Sequence, residues 1–420
     1  VEHTEPTWAA TLRQRGAERF AALGFPTTRD EDWRFTPVGR IADGKFAAAQ
    51  ARGRAPSEVD GRALLDRFGF GHPEWPRLVF VNGRHAPELS GGTLPAGVRA
   101  LTLSEAQAEL PQVERHLGQL VPLDATPFVA QNTAHLGEGA VVHVAAGVDL
   151  PHPIHLLFVT AGPAASTVTF PRLLVVVERE ARASLIESYV SLTDGGYFTN
   201  AVTEVLVAEN AWVEHTRVQR ESEQAYHMGV TWVHQARDSH YRNFTFAMGG
   251  SIARHDLFCK LGAANTEALM YGLYLGRGEQ LVDNHTTIYH DHPDCRSWEV
   301  YKGVLDGKSH GVFNGKIFVT PEAQKTDAKQ TNRALLLSET ARVDTKPQLE
   351  IFADDVKCTH GATVGFLNDQ MRFYLRSRGI GKEAADKHLT YAFCAEVMAE
   401  VQQDAVREEL DRLVKERIGV

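Results

Sequence analysis

The sequence predicts a mainly β chain: a large, imperfect β-helix set between helical N- and C-terminal regions. From about Ala140 to Val356, short β-branched runs follow one another, among them Val141-Val142-His143-Val144, Leu173 to Val177, Val202 to Val207, Gly229 to Trp232 and Ile317-Phe318-Val319. They are separated by turns rather than by helix-length segments, which argues against a doubly wound sheet and for a sandwich, barrel or solenoid. Weak self-similarity selects the solenoid. Glu138-Gly139-Ala140, Arg179-Glu180-Ala181, Glu209-Asn210-Ala211 and Glu339-Thr340-Ala341 each lead into a strand-like segment, and Ala181 and Ala211 lie one coil apart. Glycines at 303, 307, 311 and 315 read as further turn corners.

The elements follow in order. Thr7 is a candidate N-cap for a helix carrying Trp8, Leu12, Phe20 and Leu23 at helical spacing, ended by Gly24-Phe25-Pro26. Between Gly53 and Pro95, Gly and Pro surround one short strand candidate, Leu78 to Asn82 before Gly83. After the β region the chain reverts to helix. Asn368 is an N-cap, Gly379 a C′ residue, and a second helix carries Leu389, Ala392, Phe393 and Val397 on one stripe. A third carries Val406, Leu410, Leu413, Val414 and Ile418, opposite charged faces. The division expected is an N-terminal helical region at 1–120, a β-helix core at 121–360 and a C-terminal helical region at 361–420. A helical appendage with an apolar stripe serves either as plain packing or as a docking site.

Composition narrows the function. The chain has 420 residues, 43% hydrophobic and 23% charged, which is ordinary for a globular protein of two or three domains. A net charge of -9 without a basic block argues against binding nucleic acid through phosphate neutralisation. The longest apolar runs fall far short of the ~20 residues that span a bilayer, and no secretory signal is read at the N-terminus, so the expected location is the cytoplasm. Four scattered cysteines without a CxxC pair make no disulfide framework.

The informative constellation is Asp354-Asp-Val-Lys-Cys358-Thr-His360-Gly. On an extended strand, residues two apart face one side about 7 Å apart, close enough for a thiolate and an imidazole to serve one metal site. Lys357 is expected to favour the thiolate. Two ligands do not complete a tetrahedral site or a cluster, so the remaining donors have to come from elsewhere, which suits a scaffold that releases its cargo. His285, His290 and His292, with Asp291 and Cys295, read as a solvated loop at a coil corner, fitting no zinc-finger spacing. Gly303-Val-Leu-Asp-Gly307-Lys308-Ser309 has one residue too few between its glycines for a phosphate loop, so any nucleotide hydrolysis belongs to a partner. No nucleophile elbow occurs, and Asp354 and Asp355, adjacent on a strand or turn, make no two-carboxylate site.

Several ordered blocks carry a resemblance. Tyr301-Lys-Gly-Val-Leu-Asp-Gly, Gly311-Val-Phe-Asn-Gly-Lys-Ile, Ala323-Gln-Lys-Thr-Asp-Ala-Lys-Gln, Leu335-Leu-Leu-Ser, Lys346-Pro-Gln-Leu-Glu-Ile, the block around Cys358 and His360, and Phe373-Tyr-Leu-Arg-Ser-Arg-Gly-Ile are similar to the shared core of the SufB/SufD scaffold family. Asn132-Thr-Ala and Asp32-Trp-Arg-Phe extend the likeness upstream. The version Lys-Cys-Thr-His-Gly-Ala-Thr-Val-Gly, the chain length and the lack of any cysteine before Cys259 resemble the SufD branch. The resemblance implies a right-handed parallel β-helix and a non-enzymatic scaffold for iron–sulfur cluster assembly. It implies pairing with a SufB-like paralogue through the β-helix, and binding of an ABC-type ATPase, SufC, through the C-terminal helical region. A transient iron–sulfur cluster would form at the scaffold interface, with His360 as first candidate ligand or proton handler and Cys358 as second, and none tightly bound in the isolated chain. The alternatives are a homodimer of this chain and, in a different class, a β-helix enzyme acting on polysaccharides.

Overall fold

The computed structural model describes residues 6–49, 54–162 and 166–420; Gly53 lies outside them. Among the described residues the strands form two sheets, of eleven and ten strands, and the chain alternates between them through about eight turns of a parallel β-solenoid. One sheet stacks Phe198–Val207, Tyr226–Gln235, Ile252–Leu261, Leu281–His290, His310–Val319 and Arg342–Ile351. The other stacks Arg182–Ser191, Trp212–Arg220, His240–Ala247, Glu267–Gly276, Arg296–Leu305, Asp327–Leu336 and Lys357–Gly365. Apolar side chains of both sheets meet inside the coil in one continuous core.

One corner of the coil is built from a repeated backbone device. Glu180, Asn210, Asp238, Asn265, Asp294 and Lys325 take left-handed φ values of 61, 56, 57, 58, 62 and 64°. Each amide donates to a carbonyl of the next coil, as Asn210 N–H does to Arg237 at 2.9 Å and Asp294 N–H to Gln324 at 3.0 Å. Asn and Asp tolerate this conformation best, and they fill four of these rungs. The small residue that follows each rung turns inward: Ala181, Ala211, Ser239, Thr266, Cys295 and Thr326 are all buried. Arg179-Glu180-Ala181 and Glu209-Asn210-Ala211 are thus two rungs of one ladder, whereas Glu138-Gly139-Ala140 and Glu339-Thr340-Ala341 are not on it.

Other corners differ from expectation. Of the glycines at 303, 307, 311 and 315, only Gly307 turns the chain, with φ at 65°. Gly303 lies inside the strand Arg296–Leu305, where a Cβ would stand 2.2 Å from the Tyr274 ring. Strand, turn and strand surround Gly307 and Ser309, which is not the strand-to-helix setting of a phosphate loop. The histidine cluster is not a solvated loop either: His285 and His290 lie on the strand Leu281–His290, and only His292 is in the turn and exposed. His285 Nε2 is 3.1 Å from Asp283, and His290 Nε2 is 2.8 Å from Ser297 Oγ in the interior. Alternation along the strand explains the split, since 285 and 290 face opposite sides of the sheet.

The N-terminal region docks on the outside of the first sheet through two buried polar plugs, and these account for the two upstream blocks. Trp33 lies under the Arg254 guanidinium at 3.7 Å, and Arg254 in turn pairs with Asp256 and Asp283 and donates to the Asp32 carbonyl. Asn132 and Thr133 accept from Arg172, whose ion pair with Glu204 is 2.6 Å long and wholly buried. Glu204 also accepts from the amides of Gly118, Leu120 and Val121. The first helix runs Thr7–Leu23, but Pro6 occupies the N-cap and Thr7 is already helical, so Thr7 does not cap it.

The helices Lys382–Met398 and Asp404–Ile418 cover the outside of the second sheet, packing Val397, Met398, Val406, Leu410 and Val414 on Phe244, Phe246 and Leu273. Cations from the sheet pin them: Arg220 to Glu409 at 3.1 Å, Arg242 to Glu400 at 2.6 Å, and Lys302 to Glu396 at 2.6 Å and to the Phe393 carbonyl at 2.9 Å. Before them, Asn368 caps the helix Asp369–Ser377 through the amides of Gln370 and Met371, and Gly379 turns out of it with φ at 86°. No residue of that short helix is buried. No helix of the described residues is long and apolar enough to cross a membrane.

Two outcomes are expected. Glu204→Ala strands a buried guanidinium and costs about 3–5 kcal/mol, read as a lower urea midpoint and faster proteolysis of the N-terminal region. Burial pushes the His290 imidazole down to about 3, so between that value and about 6.5 the unfolded chain holds a proton that the folded chain lacks, and stability from this group falls as pH falls. Urea midpoints measured from pH 4.5 to 7.5 are therefore expected to decline less steeply on acidification in His290→Gln than in the parent, by up to about 1.4 kcal/mol per pH unit.

Candidate functional site at the open end of the solenoid

The last coil is made by Arg342–Ile351 and Lys357–Gly365, each the terminal strand of its sheet. Among the described residues every earlier coil is hydrogen-bonded on both sides, and this one has a partner on one side only. Most of Lys357–Gly365 is exposed, although it is a regular strand in register with Asp327–Leu336. The corner before it holds Asp354 and Asp355, and Asp355 pairs with Lys325 of the preceding coil, as charges in a turn do.

Register decides where the two candidate ligands point. Along Asp327–Leu336 the residues Ala328, Gln330 and Asn332 are buried in the coil interior while Lys329 and Arg333 are exposed. Cys358 stands above Ala328 and His360 above Gln330, so both belong to inward-facing columns at the open end of the interior. Cys358 is half-buried and packs on the main core, whereas His360 is exposed. Cys259, Cys295 and Cys394 are buried, which leaves Cys358 as the accessible thiol among the four.

Burial pushes the Cys358 thiol up and the nearby Asp327 carboxylate adds to this, against a hydrogen bond from the Ala328 backbone. The expected activation by Lys357 is not among these influences, because neighbouring residues of a strand face opposite sides. A thiolate at 358 therefore needs a cation or metal supplied from above the coil. Among the described residues no three His, Cys, Asp or Glu side chains are grouped to hold a metal ion, and Cys358 with His360 offers two donors.

Two further features were not drawn from the sequence. One is the column beneath His360: Gln330, then Glu299, whose carboxylate accepts from Gln330 Nε2 at 2.9 Å. The signal was available in the coil repeat, since Gln330 closes one of the ordered blocks one coil before His360. The other is an apolar surface around the same end. Phe352 is 60% exposed, Phe366 59% and Phe373 75%, with Val364, Met371 and Tyr374 beside them in sequence and also exposed. Isolated apolar side chains on a surface need no explanation, but so many in one short stretch of chain make a patch that the described residues leave uncovered.

Comparison with known proteins agrees with this architecture along the whole chain. Residues 158–393 match the family described as "SUF system FeS cluster assembly, SufBD core domain", and residues 1–156 match the "SufBD protein N-terminal region". A Synechocystis protein named as an iron–sulfur cluster assembly SufBD family protein is 35% identical over 99% of this chain and 92% of its own length. The Escherichia coli iron–sulfur cluster assembly protein SufD is 32% identical over 99% of this chain and 94% of its length, and the chloroplastic protein ABCI7 of Arabidopsis thaliana is 30% identical over 96% and 85%. Matched in both its N-terminal region and its core, and aligned almost end to end with such relatives, the chain belongs to the SufBD family of the SUF iron–sulfur cluster assembly system.

Proposed function

We propose that this chain is a SufD-type scaffold subunit that contributes an unfinished half-site, His360 first and Cys358 second, to a nascent iron–sulfur cluster. The observation that carries the reading is the pair's position on inward columns of a solenoid end whose backbone edge has no partner. A paralogous SufB-like β-helix stacked on that edge would satisfy the free amides and carbonyls and bring the missing donors over Cys358 and His360. A thiolate from the partner opposite an imidazole from this chain is a ligand set suited to iron and sulfide. The cluster is cargo, held in the complex and passed on, and the chain itself catalyses no turnover.

In this reading residues 1–120 form the N-terminal cap, 121–360 the coil that meets the paralogue, and 361–420 the region that docks a SufC-like ABC ATPase, where ATP is hydrolysed. The helix Asp369–Ser377 supports the last assignment, because its exposed Met371, Phe373 and Tyr374 present an apolar ridge that the chain does not cover. The assembly would work in the cytoplasm. In isolation the same free edges can pair two copies of this chain, which gives the homodimer a specific basis.

Two experiments test the proposal. In a complex reconstituted with paralogue and ATPase, His360→Ala is expected to lower the yield of cluster absorbance at least tenfold with assembly intact, and Cys358→Ala to lower it less; unchanged yield in His360→Ala would remove the half-site. Phe373→Asp is expected to abolish co-purification of the ATPase while the paralogue still co-purifies, and loss of the paralogue instead would reassign the helical face.

A further inference from the structure

The interior column beneath His360 carries a side chain that the half-site reading leaves without a task. Gln330 is 1% exposed and stands one register step below His360 on the adjacent strand, about 4.8 Å away along the stack. Its Nε2 donates to Glu299 at 2.9 Å, but its Oε1 is buried with no hydrogen-bond partner. An unmatched amide oxygen inside a core costs about 1–3 kcal/mol unless something uses it. From the opposite sheet Gly315 makes room for this amide: a Cβ there would stand 2.1 Å from Gln330 Nε2. Gln330 and Gly315 each lie in one of the ordered blocks, in Ala323 to Gln330 and in Gly311 to Ile317, so both sides of the cradle are built from the most recognisable stretches of the chain.

We infer that Gln330 is the positioning residue of His360: its amide, anchored on Glu299 and accommodated by Gly315, presents Oε1 to a ring N–H of the histidine above it. A metal-ligating imidazole needs one nitrogen free of its proton and the other held as a donor, and a fixed acceptor behind the ring chooses which is which. Gln330 supplies that acceptor without charge. Burial holds the Glu299 carboxyl up, to about 7, against the hydrogen bond from Gln330, so the anchor beneath the amide carries only part of a full negative charge near neutral pH. Tyr301, two residues along the same strand, has its hydroxyl kept protonated by burial and by the Glu299 charge. His360 is exposed, so its ring is free to turn down to the acceptor. The inference rests on the half-site reading for its purpose, although the contact itself can be measured without it.

The test uses the full chain labelled with 15N-histidine, with the His360 signals identified by their loss in His360→Ala. Long-range 15N–1H spectra are expected to give one dominant His360 tautomer in the parent, a mixture in Gln330→Leu and in Gly315→Ala, and recovery in Gln330→Glu, which keeps an acceptor oxygen. With zinc(II) alone as the probe, Gln330→Leu is expected to weaken binding 10–100-fold and to have no further effect in the His360→Ala background. An unchanged tautomer in Gln330→Leu and Gly315→Ala, or equal zinc losses with and without His360, overturns the positioning role. Should the tautomer respond while His360→Ala leaves cluster yield intact, the half-site reading falls and the positioning contact stands.

Discussion

A strand in a parallel coil is complete only when it has a neighbour on each side. The solenoid meets this condition at its first end and leaves it unmet at its last. At the beginning, Val98–Thr102 pairs antiparallel with Gly139–Val144, and the short hairpin of Arg77–Val81 with Arg84–His85 closes the other sheet through Asn82 and Gly83, both with positive φ. Reversed, short edge strands are a common protection against further pairing. At the far end Arg342–Ile351 and Lys357–Gly365 are long, regular and bare. The free hydrogen-bonding edge, the inward columns bearing Cys358 and His360, and the exposed aromatic residues nearby all follow from that asymmetry.

The interior changes character along the stack. In the early coils the polar groups it encloses satisfy one another. Glu187 accepts from Tyr189 at 2.7 Å and Thr203 at 3.0 Å and lies 2.9 Å from His215, whose other nitrogen is 3.0 Å from the Tyr241 hydroxyl. Burial works to raise the Glu187 carboxyl, but His215 and Arg217 hold it at about 2. Nearer the open end the pairing thins to Gln330 with its idle oxygen and Glu299 with its raised carboxyl. A closed network fixes register and costs heavily to disturb, while an unclosed one leaves donors and acceptors for a group that arrives later.

The two helical regions are fastened differently from the way the coils are stacked. Coils join by repetitive backbone bonds and core packing, whereas the N-terminal region and the last two helices are held by individual cations on outward faces: Arg172, Arg254, Arg220, Arg242 and Lys302. Such pairs add little net stability over apolar substitutes, but they admit one docking position. The helix Asp369–Ser377, lying between the coil and these anchored helices in sequence, keeps no buried side chain.

Local patterns determined a good deal without coordinates. β-branched runs broken by turns made a solenoid and Asn368 and Gly379 bounded a helix, because capping and alternation act within a few residues; Cys358 and His360, two apart, stood out as candidates on ligand chemistry alone. The misreadings fell where a residue's role is set by a coil some thirty positions away. Gly303 and Gly315 resembled corners but yield space to Tyr274 and Gln330; His290 resembled a residue of a solvated loop but is a core residue. Lys357 is next to Cys358 in sequence yet faces away from it. Stacking decided which face each side chain takes, which coil is last, and what lies beneath His360, since these depend on the register between distant strands and a single strand carries no record of its neighbour.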